Sequence, residues 1–183
     1  HQPLPTVSGA NAETLAEAER RIPHMLRHRE RAITAADYRQ LAADTPGVQM
    51  GRVELLPRFK PQQKRSNVAG VVSVMVLPQK DGNSLPNPRA DRPFLEAVHA
   101  YLDDRRPLGT ELYAIGCEYI SLGVSVSVQI SGGFGREEVL RNVRQALRDY
   151  LWPLPGGGPQ QTGWPLGRAV NQRELEVVVA RVA

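Results

Sequence analysis

The stretch VAGVVSVMVL (68–77) is apolar, rich in β-branched residues and of strand length. A run of that length and composition reads as a buried strand. The residues after it decide the fold. PQKDGNSLPNP (78–88) is a turn-rich loop. Asp91 then stands where a helix cap belongs, with Pro93 in the first turn. Phe94, Leu95, Val98, Tyr101 and Leu102 recur at helical spacing, and Pro107 and Gly109 close that helix. TELYAIG (110–116) is a short strand. VSVSVQIS (124–131) alternates apolar and polar residues without a break, the pattern of a strand with one buried face. GGFGREE (132–138) turns into a helix striped by Val139, Leu140, Val143, Leu147, Tyr150 and Leu151, which Pro153 ends. The order from 68 to 151 is strand, helix, strand, strand, helix. This is a split βαβ, ferredoxin-like pattern that lacks its last strand. It predicts an α+β fold with a mostly antiparallel sheet and helices packed on one face.

Working outward, a helical segment precedes this core. Residues 12–30 carry Leu15, Ala18, Ile22, Met25 and Leu26 as one apolar stripe. Asn11 or Thr14 can cap its start, and Thr14 with Glu17 has capping-box spacing. Pro23 removes a ladder hydrogen bond, which predicts a kink or two short helices meeting there. Thr34 caps a second helix, with Asp37 three residues on and Tyr38, Leu41 and Ala42 on its buried face. Pro46-Gly47 stops it, and VQMGRVELLP (48–57) reads as a strand. RFKPQQKRSN (58–67) is a basic loop or hairpin tip. The division expected is a helical linker with a first helix–strand unit over 1–57, and the α+β domain over 58–183.

The loop PLPGGGPQQTGWPLG (153–167) holds three consecutive glycines, expected to be unburied. AVNQRELEVVVARVA (169–183) echoes residues 31–48. Asn171 can cap a helix, Glu174 can reach back to the cap, and Leu175, Val178, Val179 and Val182 share a face. Its valines would equally suit a strand completing the sheet. Helix is the reading adopted.

Composition narrows the function. The chain has 183 residues, 41% hydrophobic and 23% charged, ordinary for a folded domain. That length buries roughly 70% of the surface exposed by the unfolded chain. No run approaches the ~18 apolar residues of a membrane span. No charged-then-apolar opening suggests a signal peptide. The start HQPLPTVSG reads as a connection, so a longer protein is expected. Cys117 is the one cysteine, which excludes an intrachain disulfide and suits a reducing compartment. It reads as a small apolar residue rather than a nucleophile, since no His or Asn motif accompanies it.

Net charge is +4, and Lys60, Lys64 and Lys80 are the only lysines among 23 basic residues. The rest are arginines, whose planar fork suits carboxylates and phosphates alike. They cluster in RRIPHMLRHRER (20–31) and RFKPQQKR (58–65). A nucleic-acid-binding module is one reading. Aromatic platforms are sparse, however, with Phe59 alone near a cluster, so solvated faces and protein contacts are preferred.

The chemistry-bearing pairs have plain alternatives. His24 and His28 have metal-pair spacing but Met25 replaces the glutamate of a metalloprotease motif, and no third ligand is evident. His99 and Asp103 make an ordinary i, i+4 pair. Asp103-Asp104 and Glu137-Glu138 are neighbours that do not face each other on a helix. GGFG lacks the Lys-Ser/Thr of a phosphate loop, and no G-x-S-x-G elbow occurs. No catalytic residue, metal ligand or cofactor site is assigned, and an enzyme is not expected.

The run GANAETLAEAERRIPHMLRHRERAITAADYRQLAADTPGV (9–48) resembles the hallmark of baseplate J-like wedge proteins of contractile phage tails and injection systems. The matching positions are Gly9, Glu13-Thr14, Ala18, Pro23, Leu26, Arg31-Ala32, Thr34, Asp37-Tyr38, Leu41-Ala42 and Pro46-Gly47-Val48. RPFLEAVHAYLDDRRPLGTELYAIGCEYISLGVSVSV, ALRDYLWPL and GWPLGRAVNQRELEVVVARV are similar to later family segments. The resemblance implies a structural subunit, matching the C-terminal part of a longer chain. It implies wedges linked into a six-fold ring around a hub. Partners would be other copies and the other wedge, hub and sheath proteins, with assembly in the cytoplasm. The family carries no catalytic residue to transfer. Its Gly-Val and strand after the last helix are not in this sequence, and that strand is a candidate partner for the sheet. Arg27, Arg29 and Arg31, with Arg58, Lys60, Lys64 and Arg65, are the expected interface residues.

Overall fold

The structure, a computed structural model, describes residues 12–80, 87–130 and 135–182. The Asn11 cap, residues 131–134 with the first three residues of the GGFG turn, part of the 78–88 loop and Ala183 lie outside the described residues. The elements are α1 (Leu15–His28), α2 (Ala35–Ala43), β1 (Met50–Pro57), a 3-10 turn (Pro61–Gln63), β2 (Val71–Pro78), α3 (Arg92–Asp103), β3 (Glu111–Gly116), α4 (Arg136–Tyr150) and α5 (Gln172–Ala180). The α+β expectation holds.

Local chemistry explains the helix starts. Thr34 and Asp37 form a reciprocal capping box: Asp37 N–H donates to the Thr34 hydroxyl at 3.2 Å, and Thr34 N–H to the Asp37 carboxylate at 2.7 Å. Asp91 accepts from Phe94 N–H at 3.0 Å. Asn171 accepts from Arg173 N–H at 3.0 Å, and α5 is a helix rather than a strand. Glu174 does not turn back to that cap. It accepts from Arg168 and from the Tyr150 hydroxyl, which ties α5 to α4.

Three strands make one sheet in the order β1-β2-β3. β1 and β2 are antiparallel, joined by the 58–70 connection, and β2 and β3 are parallel. The parallel pair arises from α3, because a crossover helix returns the chain in the same direction. The described sheet is therefore mixed rather than mostly antiparallel, and its βαβ unit is not split. β2 and β3 are immediate neighbours, with no strand between them. The strand expected to split them, 124–131, forms no ladder among the described residues. Alternation reports which residues suit two faces, but pairing needs a partner edge, and sequence periodicity does not supply one.

One sheet face carries Val53 and Leu55, Val72, Val74 and Val76, and Leu112 and Ala114. α2 and α3 cover that face and touch each other. Tyr38, Leu41, Ala42, Val98 and Leu102 fill the layer between, all nearly or fully buried. Burying each of the valines and leucines stabilises by about 1.5–3 kcal/mol. The core runs continuously across residue 57.

The opposite face has a different cover. Leu77 is fully buried there, and the fully buried loop residue Leu154 lies against Gly51 of β1. Arg52 reaches out from β1 and donates from one Nη to the carbonyls of Pro153 (2.8 Å) and Trp164 (2.7 Å). Its other nitrogens hold Glu54. The glycine-rich loop is thereby folded down onto the chain. Gly156 is exposed as expected, but Gly157 and Gly158 are buried. A Cβ on Gly157 would stand 2.2 Å from the Trp152 carbonyl oxygen, so backbone has taken the side chain's space. Nothing in a glycine run distinguishes a slack loop from a tightly closed one.

Candidate interaction surface

α1 is a single helix through Pro23, not two short ones. The Thr14–Glu17 box fixes its start: Thr14 N–H donates to Glu17 at 2.8 Å and Glu17 N–H to the Thr14 hydroxyl at 3.3 Å. Arg21 clamps Glu13 with two bonds, at 2.7 and 2.9 Å. The apolar stripe read from the sequence stands open to solvent. Leu15 is 77% exposed, Leu26 65%, Ile22 42% and Met25 41%. Helical periodicity marks the stripe, but it does not say what the face packs on. α2 is the main element beside α1, and it leaves the stripe uncovered.

The joint between α1 and α2 is unusually determined for a surface segment. Arg29 (φ 45°) and Glu30 (φ 57°) are both left-handed, a conformation that costs an L-residue roughly 1–2 kcal/mol. Hydrogen bonds hold it. Glu30 N–H donates to Nδ1 of the buried His28 at 3.0 Å, and Arg31 N–H to the His28 carbonyl at 2.8 Å. Ala32, fully buried, donates its N–H to the Arg105 carbonyl beyond α3 at 2.8 Å. The Arg105 guanidinium lies 3.8 Å from the Tyr101 ring centroid and donates to the Tyr101 carbonyl at 2.8 Å. A cation over an aromatic face adds attraction to this packing.

This geometry turns Arg27, Arg29 and Arg31 outward. All three are exposed, and among the described residues none has an ion-pair or side-chain hydrogen-bond partner. Beneath them, burial pushes the Asp37 carboxyl up, but bonds from the Thr34 backbone, the Thr34 hydroxyl and Ile33 N–H outweigh it. The carboxyl ends below its ordinary range.

The second basic cluster is the β1–β2 connection. Arg58 is left-handed (φ 62°), and Lys60 and Arg65 exchange backbone bonds at 2.8 and 3.2 Å across the tip. The Ser73 hydroxyl donates to the Phe59 carbonyl at 2.6 Å. Lys60 is committed inside the chain: its ammonium holds Glu111 at 2.9 Å, which raises the lysine pKa. The Glu111 carboxyl is lowered by the Tyr113 hydroxyl and by Lys60. Lys64 meets Glu118 at 3.4 Å in full solvent. Arg58 and Arg65 have no ion-pair partner among the described residues. Two of the four charges expected to face neighbours are thus shared internally, because Glu111 of β3 and Glu118 just after it lie beside the tip.

The other groups singled out by chemistry stay apart. His24 is exposed while His28 is buried with Nδ1 occupied by a backbone donor. Asp103 pairs with Arg106. Glu137 and Glu138 lie in the first turn of α4, where negative charge is favoured. Cys117 is half-buried, burial raises its thiol pKa, and the thiol donates weakly to the Glu118 carbonyl at 3.6 Å.

One exposed surface was not expected. Ile120 (95%), Leu122 (52%), Val124 (44%) and Val126 (39%) come after β3 and stand open to solvent. The signal in sequence is the alternation itself, which predicts a strand with a buried face.

No known family profile and no curated protein matches the chain. Among solved structures it is similar to a chain in the cryo-EM structure of the anti-feeding prophage baseplate, which was 6-fold symmetrised. The identity is 26% and the TM-score 0.62, over 98% of this chain and 37% of that one. The chain therefore spans little more than a third of the length of the solved chain it matches.

Proposed function

We propose that this chain is a structural component of the baseplate of a contractile phage tail or phage tail-like injection particle. The observation that carries the reading is the similarity to a baseplate chain over 98% of the residues, at 26% identity. Its finer form is a wedge subunit that links wedges into a ring around the hub, contacting further copies and other baseplate and sheath proteins. The role is surface and linkage, not catalysis. Large rearrangeable interfaces suit a machine that changes shape.

In this reading the exposed α1 stripe and the outward Arg27, Arg29 and Arg31 form one contact region, and Arg58 and Arg65 a second. Bidentate pairing to acidic neighbours fixes orientation more than it adds affinity. The test is co-expression of this protein with its particle genes, carrying Arg29→Glu and Arg31→Glu together. Incorporation into sedimented particles is expected to fall sharply, with the circular dichroism and melting of the purified chain unchanged. Normal incorporation would sink the interface assignment. The unpaired arginines also favour one rival, a nucleic-acid-binding module. Steeply salt-dependent binding to random duplex DNA would support that rival.

A further inference from the structure

Residues 117–130 contain no helix, turn or bend, and none has positive φ. The segment is therefore extended throughout. Its start is fixed: the Tyr119 hydroxyl donates to the Pro88 carbonyl at 2.8 Å, and the Arg89 guanidinium lies 5.9 Å from the Tyr119 ring centroid. Burial pushes the Tyr119 phenol up to about 12, so it stays a donor. Beyond this anchor the segment pairs with no strand among the described residues.

An extended run whose backbone donors and acceptors have no backbone partner among the described residues is a template for another strand. Proteins blunt such edges with charge, proline or bulges. From Tyr119 to Ile130 there is no charged residue and no proline. The apolar residues at even positions are open from Ile120 to Val126, while Val128 and Ile130 are half-buried and rest each segment on its own chain.

The sequence itself identifies the occupant. LGVSVSVQI (122–130) reads almost the same in both directions from Val126: Ser125 mirrors Ser127, Val124 mirrors Val128, and Leu122 mirrors Ile130. Only Gly123 and Gln129 break the symmetry. Antiparallel pairing about a two-fold axis at Val126 sets each residue opposite its mirror. Apolar then faces apolar and serine faces serine on every layer but one, pairings that each stabilise by roughly 0.2–1 kcal/mol. A two-fold contact requires a self-complementary surface, whereas a strand from an unrelated partner imposes no such symmetry.

We infer that residues 122–130 pair antiparallel with the same residues of a second copy, about an axis at Val126. The contact sets the exposed valines of the two copies side by side and spans roughly 30 Å of strand. It extends the baseplate reading by naming a self-contact, but it does not depend on that reading.

The test places single cysteines in a Cys117→Ser background. Val126→Cys faces itself across the axis, at a separation that suits a disulfide. Under mild oxidation it is expected to give a covalent dimer rapidly. Leu122→Cys alone should not cross-link, because its partner position is 130. A mixture of Leu122→Cys with Ile130→Cys should. Light scattering on the parent chain should give twice the chain mass, and Val126→Glu, which sets like charges on the axis, should give the single mass with unchanged circular dichroism. A parent that stays monomeric at its highest soluble concentration overturns the proposal. So does cross-linking of Leu122→Cys as fast as Val126→Cys, which would indicate unspecific association. Either failure leaves the particle-incorporation experiment, and the baseplate reading it tests, standing.

Discussion

At the residue scale, the glycines of the 153–167 loop separate two costs that sequence alone merges. Gly156 is exposed with φ +97° and nothing within 4 Å of a built Cβ, so alanine there meets only backbone strain. That strain is about 1–2 kcal/mol. Gly157 needs no unusual φ, but its Cβ would fall on the Trp152 carbonyl, near the Asp149 carbonyl as well. Backbone atoms cannot rotate aside, so the loop has to move. Gly157→Ala is expected to destabilise more than Gly156→Ala in urea titrations, by over ~2 kcal/mol against about 1. Equal effects would show that the loop is slack after all. Caps are legible at this scale because a cap is a local event: Thr34 with Asp37 and Asp91 with Phe94 need only a few consecutive residues. The closed loop is not legible, because the atoms that exclude a Cβ come from the turn's own three-dimensional closure.

At the element scale, two helices that each carry apolar residues at helical spacing meet different fates. α2 buries Tyr38, Leu41 and Ala42 between β1 and α3, while α1 leaves Leu15 and Leu26 mostly in solvent. Periodicity identifies both helices and both stripes. It is silent on coverage, because coverage depends on what else the chain, or another chain, brings to that face. The same silence applies to 124–130, where alternation predicts a paired strand and none pairs with it among the described residues. The contrast is measurable. Leu41→Ala is expected to cost about 2–5 kcal/mol, the usual range for a buried leucine. Leu26→Gln should stay within about 0.5 kcal/mol of the parent. If Leu26→Gln destabilised the isolated chain strongly, α1 would be packed in solution, and its stripe would not be available to a neighbour.

At the scale of the whole molecule, the sheet holds α2 and α3 on one face and the glycine-rich loop on the other, and that loop leads from α4 to α5. The loop's hold on β1 is concentrated in Arg52, whose side chain is 14% exposed. Its fork satisfies the carbonyls of Pro153 and Trp164 at 2.8 and 2.7 Å and holds Glu54 at 2.7 Å. Arg52→Leu keeps much of the apolar stem but orphans two carbonyls and a half-buried carboxylate. Each orphaned acceptor costs about 1–3 kcal/mol, so a loss of several kcal/mol is expected if the loop stays docked. Releasing the loop lets water satisfy those groups at a lower cost, so undocking is the expected response. The molecule carries its own reporters, because its two tryptophans, Trp152 and Trp164, both lie at this clamp. The Trp164 ring packs edge-on to Tyr150 at 5.6 Å, and the Trp164 backbone N–H donates to the Trp152 carbonyl at 2.8 Å. Tryptophan emission of Arg52→Leu should therefore shift to the red and lose its denaturation midpoint early. Far-UV circular dichroism should persist to a higher urea concentration, reporting the sheet with α2 and α3. Coincident transitions by the two probes would mean that loop and sheet unfold as one unit, and that Arg52 is one contact among many rather than the tie between the two faces.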